Sequence, residues 1–371
     1  MPVDFIALSN AGVQQLKPYQ PGKPIEELER ELGISNIVKL ASNESPFGAS
    51  PRALAIVRNA SEVLHRYPDG SGYRLKAALA ERLGVRAAQI SLGNGSNDIL
   101  ELVARAWLCP GDETVFSEHA FAVYPLVTMA CSAKAVSVPA KNFGHDLDAM
   151  LAAINERTRI VFIANPNNPT GTWISATSLD RFLAQVPEHV LVVLDEAYFE
   201  YVEETAYPNG LSRLDAYPNL IVTRTFSKIY GLAGLRVGYS ISSLDIADVL
   251  NRVRQPFNCN ALALVAAEAA LDDDDHLEYC RDLNAAGLAQ VAEGLEQLGL
   301  SYIPSVGNFI SFDCGREAAP IYEALLREGV ILRPIAAYGM PNHLRVSIGQ
   351  PEENERFIDA LGQVLGWKEQ V

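Results

Sequence analysis

The sequence lacks the long apolar runs of a membrane protein. None of its 371 residues belongs to a stretch approaching the roughly 18 uninterrupted apolar residues of a membrane-spanning helix. The first ten residues, MPVDFIALSN, also lack the basic region and apolar run of a targeting segment. With 49% hydrophobic and 20% charged residues, the composition is that of a globular chain of two or three domains. We therefore expect a cytoplasmic protein that does not bind a membrane.

Positive charge is scarce. The chain carries 45 acidic and 30 basic residues, which gives a formal net charge of −15. Because this surplus repels a phosphate backbone, nucleic acid is an unfavourable partner. A small anionic ligand would need arginines placed locally around it.

Cysteine is also scarce, with five residues at positions 109, 131, 259, 280 and 314. Their odd number and the absence of a CxxC pair argue against a disulfide framework and against structural zinc, and they favour a reducing compartment. The acidic run at 272–275 is the remaining candidate for a metal site. We interpret it as a solvated cap of the following helix and predict no metal.

An α/β pattern dominates the middle of the chain. Between residues 53 and 244, short apolar runs alternate with amphipathic helical segments, which is typical of a doubly wound, mostly parallel sheet. The clearest strands are predicted at 159–165, 189–196, 219–227 and 235–242, and a helix at 97–108. The first forty residues read as a proline-punctuated arm, and the chain after residue 260 as a smaller α+β domain.

Polar side chains follow these strands at the edge of a parallel sheet where ligands bind. Gly93–Asn97, at the start of a helix, is a candidate anion site, because backbone N–H groups are free there. It is not a dinucleotide fingerprint, since Asp98 stands where the third glycine would be. After the strand predicted at 159–165, PNNPTG at 166–171 presents the amide of Asn168 between two prolines.

The two following strands deliver ionisable groups. An apolar strand runs directly into Asp195, with Tyr198 three residues later, and a buried carboxylate there needs a partner. The next strand leads to Lys228, which in apolar surroundings has a lowered pKa and is a capable nucleophile. Arg236 follows shortly after. Each feature alone has an ordinary structural explanation, as a turn, a helix cap or a surface residue.

Together these groups are the parts that a pyridoxal phosphate site requires. Lys228 would form the Schiff base and Asp195 would pair with the protonated pyridine nitrogen. Asn168 and Tyr198 would hydrogen-bond the phenolic oxygen. The phosphate would lie on the turn of Gly95, Ser96 and Asn97, with Ser227 and Arg236 closing around it.

At these residues the sequence resembles the fold-type I, pyridoxal-phosphate-dependent aminotransferases, in particular the histidinol-phosphate aminotransferases. NPNNPTG, DEAYFEY and SKIYGLAGLR are three ordered motifs, and the resemblance extends from LKPYQPGKP to LRVSIG. It implies an aspartate aminotransferase-like fold. We divide the chain into an arm with part of the small domain at 1–44, a large cofactor domain at 45–255 and a small domain at 256–371.

The resemblance also implies roles for further residues. Phe121 in HAFAVY would stack on the cofactor ring, where many relatives have tyrosine. Tyr67 in RYPDG would reach the cofactor phosphate of a neighbouring subunit, which implies a homodimer with shared active sites. The implied substrate-binding residues are Tyr19 in the arm, Asn43 in LASNESPFG (where Ser45 replaces a common asparagine), Arg333 and Arg345.

The reaction implied by the resemblance is transfer of the amino group of L-histidinol phosphate to 2-oxoglutarate, which gives imidazole acetol phosphate and glutamate in histidine biosynthesis. Lys228 would carry the proton between the substrate α-carbon and the cofactor. An aromatic amino-acid aminotransferase and a phosphothreonine-type decarboxylase need the same residues and remain alternatives. A cofactor-binding regulator without turnover and a nucleotide-dependent dehydrogenase are the alternatives outside this class.

Overall fold

The computed structural model describes residues 3–18, 22–60, 62 and 64–366. The α-helices in this part of the chain are α1 Ile25–Leu32, α2 Pro51–Ala60, α3 Tyr73–Leu83, α4 Ser96–Trp107, α5 Val123–Ala130, α6 Leu147–Ala153, α7 Ala176–Leu183, α8 Leu244–Val253, α9 Ala261–Leu271, α10 Asp274–Gln297, α11 Ala318–Arg327 and α12 Pro351–Leu365. The strands are β1 Val38–Lys39, β2 Ile90–Gly93, β3 Glu113–Ser117, β4 Lys134–Val138, β5 Thr158–Ala164, β6 Leu191–Asp195, β7 Leu220–Thr225, β8 Gly238–Ser242, β9 Tyr302–Ile303, β10 Phe309–Asp313, β11 Val330–Ile331, β12 Arg333–Pro334 and β13 His343–Ser347.

A large sheet has the strand order β2-β8-β7-β6-β5-β3-β4. Strand β8 runs antiparallel to both of its neighbours, β2 and β7, while the other pairings are parallel. The predicted doubly wound, mostly parallel sheet is therefore confirmed. The strand predicted at 235–242 begins only at Gly238, because residues 233–235 form a 3-10 turn and Arg236 has a left-handed backbone (φ 57°).

Helices cover both faces of the large sheet, and alternate residues of each buried strand enter different cores. In β6, Leu191 and Val193 pack on one face with residues of α4, α5 and α8. Val192 and Leu194 pack on the other face with residues of α2, α3 and α9. Because β6 is buried along its whole length, the first polar group on the α4–α5 face is the one at its end, Asp195.

A small antiparallel sheet of order β12-β13-β10-β9 packs with the second half of α10 and with α11 and α12. The pair β1–β11 is parallel and attaches the N-terminal segment to this smaller unit. Helix α1 ends at Gly33, which takes a left-handed cap conformation with φ 66°. Our division of the chain into domains remains a proposal.

The acidic run at 272–275 does not cap helix α10 through its side chains, so that prediction is wrong. Asp273 occupies the N-cap position, but no side-chain hydrogen bond caps the helix there. Its carboxylate instead accepts a short hydrogen bond from Ser50 at the start of α2, and Asp274 pairs with Arg82. The run thus fastens α10 to α2 and α3.

No cluster of His, Cys, Asp or Glu able to hold a metal ion occurs in the described ranges. Among the same residues, no helix combines the length and apolarity needed to cross a bilayer.

Candidate active site

A cavity of about 180 Å³ lies beyond the carboxyl ends of β5, β6 and β7. Nine of the residues predicted from the sequence line it: Ser96, Asn97, Phe121, Asn168, Asp195, Tyr198, Ser227, Lys228 and Arg236. They come from five separate loops, which the parallel strands deliver to one edge of the sheet. The structure therefore brings the predicted cofactor residues together, while their roles remain proposals.

One end of the cavity is built to receive an anion. Helix α4 starts at Ser96, and its first N–H groups have no partner within the helix. Arg236 donates to the Ser227 hydroxyl at 3.1 Å, so both side chains lie beside this helix end. A Cβ atom on Gly95 would lie 2.3 Å from Nη2 of Arg236, and the φ of +84° at Gly95 also favours glycine. Glycine is therefore required for the arginine to reach the helix N-terminus.

Asp195 lies deeper in the cavity. Its two carboxylate oxygens accept hydrogen bonds from the hydroxyls of Tyr124 and Thr223, each at 3.0 Å. Burial raises the pKa of Asp195, and these hydrogen bonds oppose that shift. Tyr124 is fully buried and stacks on Phe162 with ring centroids 4.7 Å apart. The carboxylate is thus held in one orientation, available to a cationic nitrogen in the cavity.

Lys228 follows β7 and projects into the same cavity. Its Nζ donates to the backbone carbonyls of Ser42 at 3.5 Å and Asn43 at 3.2 Å. Loss of hydration, reinforced by the positive charge of Arg345, lowers the pKa of Lys228 to about 7. A substantial fraction of this amine is therefore unprotonated and nucleophilic at neutral pH.

Tyr198 and Asn43 form a hydrogen-bonded pair, although sequence reasoning gave Asn43 a role in substrate binding. Nδ2 of Asn43 donates to the Tyr198 hydroxyl at 2.9 Å. Ser347 of β13 donates from its hydroxyl to Oδ1 of Asn43, also at 2.9 Å. Since Asn43 is only 1% exposed, its side chain contacts other residues of the protein and not solvent.

A second hydrogen bond from β13 reaches Asn168. Nη1 of Arg345 donates to Oδ1 of Asn168 at 2.5 Å, and Nη2 donates to the carbonyl of Ala41. Arg333 of β12 lies directly opposite Arg345 in the antiparallel register. Two guanidinium groups on neighbouring positions of one sheet face repel each other, and an anion bound between them removes that repulsion. The predicted substrate arginines are therefore adjacent, and Arg345 contacts Asn168 in the cavity wall.

The loop that carries Asn168 is fastened to the small sheet at three points. Ser311 of β10 donates to the carbonyl of Pro169 at 2.6 Å. The backbone N–H of Val306 donates to the carbonyl of Gly171 at 3.3 Å. A Cβ on Gly171 would meet the side chain of Ser305 at 2.2 Å, so the two segments are in close contact.

One further predicted residue lies apart from the cavity, and another falls outside the described residues. Tyr67 is 83% exposed and stacks on Phe257 with ring centroids 4.7 Å apart, away from the cavity of its own chain. This placement agrees with a role toward another subunit, which stays a prediction. Tyr19 lies outside the described residues.

A larger cavity of about 820 Å³ lies on the opposite face of the sheet and contains none of the predicted site residues. Its wall includes Arg224, whose guanidinium is paired with the buried Glu196 at 2.8 Å and lies over the ring of Phe199. Burial raises the pKa of Glu200, also in this wall, to about 7. We place the cofactor in the smaller cavity because Lys228, Asp195 and the α4 N-terminus meet there.

The residues of the smaller cavity fit pyridoxal phosphate. The donors at the α4 N-terminus, Ser227 and Arg236 suit a phosphate, and Gly95 leaves the space that their approach requires. The buried carboxylate of Asp195 suits a protonated pyridine nitrogen. Lys228 suits the aldehyde, because its amine has a pKa of about 7.

Sequence reasoning missed the residues that support this set. Tyr124 and Thr223 hold Asp195, and Thr225 lines the cavity beside Ser227. Thr223 and Thr225 were detectable, since polar residues two apart in an apolar strand share one face. Tyr124 gave no comparable signal, because it lies in a helix that is apolar almost throughout.

The fold and the site define the class of protein. The family model described as aminotransferase class I and II matches residues 35–361, and the chain belongs to that family. Within it, the similarity is to histidinol-phosphate aminotransferases. The chain is 66% identical over 364 residues to histidinol-phosphate aminotransferase 2 of Pseudomonas fluorescens, covering 98% of both chains.

Two further proteins give the same result. Histidinol-phosphate aminotransferase 2 of Pseudomonas aeruginosa is 65% identical, with 98% of this chain and 99% of that protein covered. The crystal structure of histidinol-phosphate aminotransferase from Sinorhizobium meliloti, in complex with pyridoxal-5'-phosphate, superposes with a TM-score of 0.90. It is 32% identical, and the match covers 96% of this chain and 97% of that one.

Proposed function

We propose that this aminotransferase uses pyridoxal 5'-phosphate to transfer the amino group of L-histidinol phosphate to 2-oxoglutarate. The observation that carries the proposal is the single cavity in which nine predicted residues meet, with Arg345 bonded to Asn168 in its wall and Arg333 paired opposite Arg345. High identity to histidinol-phosphate aminotransferases along the whole chain supports the choice of substrate. The step belongs to histidine biosynthesis.

Pyridoxal phosphate, when bound, supplies an electron sink that weakens the bond between the substrate α-carbon and its hydrogen. Asp195 would keep the pyridine nitrogen protonated through its buried carboxylate. Asn168 and Tyr198 would donate to the phenolic oxygen. The α4 N-terminus, Ser227 and Arg236 would hold the phosphate, and Phe121 would stack on the ring.

Lys228 performs the proton transfer. Its pKa of about 7 would allow the amine to accept a proton from the substrate α-carbon and to deliver it to the cofactor near neutral pH. The burial that lowers this pKa also limits the access of water, which would otherwise compete for the proton. The same residue is therefore both the point of cofactor attachment and the catalytic base.

The two arginines select the substrate by charge. Arg345 would bind the carboxylate of glutamate or 2-oxoglutarate, and Arg333 with Tyr19 would bind the phosphate of histidinol phosphate. Guanidinium groups suit both anions because they offer paired N–H donors. They reverse locally the negative charge of a chain whose formal net charge is −15.

The proposal includes a cytoplasmic homodimer. The five cysteines are free, as suits a reducing compartment. Phe5, Ile6 and Leu8 in the N-terminal segment are each more than 70% exposed, and a second subunit would cover them. Tyr67 would then reach across to the partner's cofactor phosphate.

Two experiments test the proposal. Borohydride reduction followed by peptide mapping is expected to place the pyridoxyl label on Lys228, and a label elsewhere would overturn the assignment. Single-turnover spectra with histidinol phosphate are expected to show conversion to the pyridoxamine form and reversal with 2-oxoglutarate. Release of carbon dioxide would identify a decarboxylase, and faster turnover with phenylalanine an aromatic aminotransferase.

A further inference from the structure

Asn43 lies at the centre of a hydrogen-bond network beside the cavity. Its side chain contacts Tyr198 and Ser347, and its backbone carbonyl accepts from Lys228 at 3.2 Å and from Asn308 at 3.1 Å. Its backbone N–H donates to the Ser347 hydroxyl at 2.8 Å. The polar groups of a residue only 1% exposed and bonded in this way are engaged mainly with the protein.

The network determines which way each proton points. Because the Ser347 oxygen accepts from the Asn43 N–H, the Ser347 proton is free to go to Oδ1 of Asn43. Oδ1 is therefore the acceptor, and the amide nitrogen Nδ2 faces Tyr198. The Tyr198 oxygen accepts this bond, so its own proton must point elsewhere. Within the described ranges, this hydroxyl donates to no protein acceptor, and Tyr198 lines the cavity.

We propose that Asn43 is a positioning residue that fixes the Tyr198 hydroxyl as a hydrogen-bond donor toward the cofactor's phenolic oxygen. The inference rests on the proposed function, since it requires the cofactor. Ser347 of β13 holds the Asn43 amide in the orientation that this role needs. Burial raises the pKa of Tyr198 to about 12, so the hydroxyl keeps the proton it donates.

The role has a measurable consequence apart from turnover. A donor on the phenolic oxygen draws away the electron density that helps the neighbouring Lys228 nitrogen retain a proton. Loss of that donor therefore raises the pH at which the bound cofactor changes its visible absorbance. A hydrogen bond to a charged oxygen corresponds to a shift of about one pH unit.

The decisive variant is Asn43→Asp, which keeps the size of the side chain but replaces its donor with an acceptor. The aspartate would draw the Tyr198 proton toward itself and away from the cofactor. We expect the absorbance midpoint of the holoenzyme to rise by about one pH unit. Asn36→Asp is the matched control, because Asn36 also has a left-handed backbone (φ 62°) but is exposed and distant. Its midpoint is expected to equal that of the wild type.

Two further variants separate positioning from a general structural effect. Tyr198→Phe removes the donor itself, and its double variant with the uncharged change Ser347→Ala is expected to shift no further than Tyr198→Phe alone. Ser347→Ala is expected to give a smaller shift in the same direction. It replaces Asn43→Asp as the test of the inference if that variant does not fold. An unchanged midpoint in a cofactor-loaded Asn43→Asp or Ser347→Ala protein, or additive shifts in the double variant, would overturn the inference. Wild-type protein without a cofactor bound at Lys228 would instead refute the proposed function.

Discussion

Arg345 and Asn168 are joined by a hydrogen bond of 2.5 Å between the guanidinium Nη1 and the amide Oδ1. Arg345 belongs to the small sheet and would bind substrate, and Asn168 lies in the loop after strand β5 of the large sheet and would bind cofactor. This contact uses the acceptor of the Asn168 amide and leaves its Nδ2 donor for the phenolic oxygen. Substrate and cofactor recognition thus share a direct contact.

Replacing Arg345 with lysine is expected to raise KM for both the amino donor and the keto acid. Lysine keeps the charge but loses the paired donors, and the loss of one charged hydrogen bond lowers kcat/KM about 10- to 100-fold. Steady-state kinetics with histidinol phosphate and 2-oxoglutarate measure the change. Arg316→Lys, at an exposed position of the same smaller unit, is the control. Weaker cofactor retention with unchanged KM values would contradict the assignment.

Replacing Asp195 with alanine is expected to reduce turnover at least a hundredfold, because the pyridine nitrogen loses its charge partner in a buried site. Folding and part of the cofactor binding should survive, since the phosphate end of the cavity is untouched. Circular dichroism, cofactor absorbance and kinetics on one preparation distinguish these effects. Wild-type activity in this variant would refute the role of Asp195.

The pKa of about 7 at Lys228 predicts how cofactor attachment depends on pH. Only the unprotonated amine reacts with the aldehyde, so attachment to the apoprotein should accelerate as the pH rises through 7 and then level off. Arg345 is one cause of the lowered pKa, and Arg345→Ala should move the midpoint to higher pH. Stopped-flow absorbance measures the rate, and equal midpoints in both proteins would disprove the electrostatic cause.

The raised pKa of Glu200 predicts a pH dependence of stability. Its pKa is about 7 in the folded chain against an ordinary value of 4.5, so folding favours the protonated form. Its contribution is complete below about pH 4.5 and is lost as the pH rises through 7. Glu200→Gln should therefore be more stable than the wild type at pH 8, with a smaller difference at pH 5. Urea denaturation at both values tests this, with the exposed Glu203→Gln as control.

The parts of the site that the sequence predicted are those in which a polar residue interrupts a local pattern. Asp195 ends a wholly apolar strand, and Lys228 follows the next strand, so neighbouring positions along the chain sufficed to single them out. The antiparallel direction of β8 could not be predicted in this way, because an apolar strand has the same pattern in either direction. Only its pairing with β7 and β2 reveals it.

The missing parts depend on contacts between distant segments. Tyr124 lies 71 residues from Asp195, and their contact depends on how α5 packs against the sheet. Asn43 lies 155 residues from Tyr198 and 304 from Ser347. The sequence marked the segment around Asn43 as part of the site through family resemblance. Its hydrogen-bond partners follow only from the assembled fold.

The contacts between the Asn168 loop and the small sheet couple the positions of the two sheets beside the cavity. The Val306–Gly171 and Ser311–Pro169 hydrogen bonds, and the close packing of Gly171 on Ser305, join the two sheets at the cavity edge. The small sheet cannot swing open as a rigid lobe without breaking these bonds and displacing Asn168. Any displacement of the small sheet from the large one is therefore coupled to the position of Asn168, the residue proposed to hold the phenolic oxygen of the cofactor.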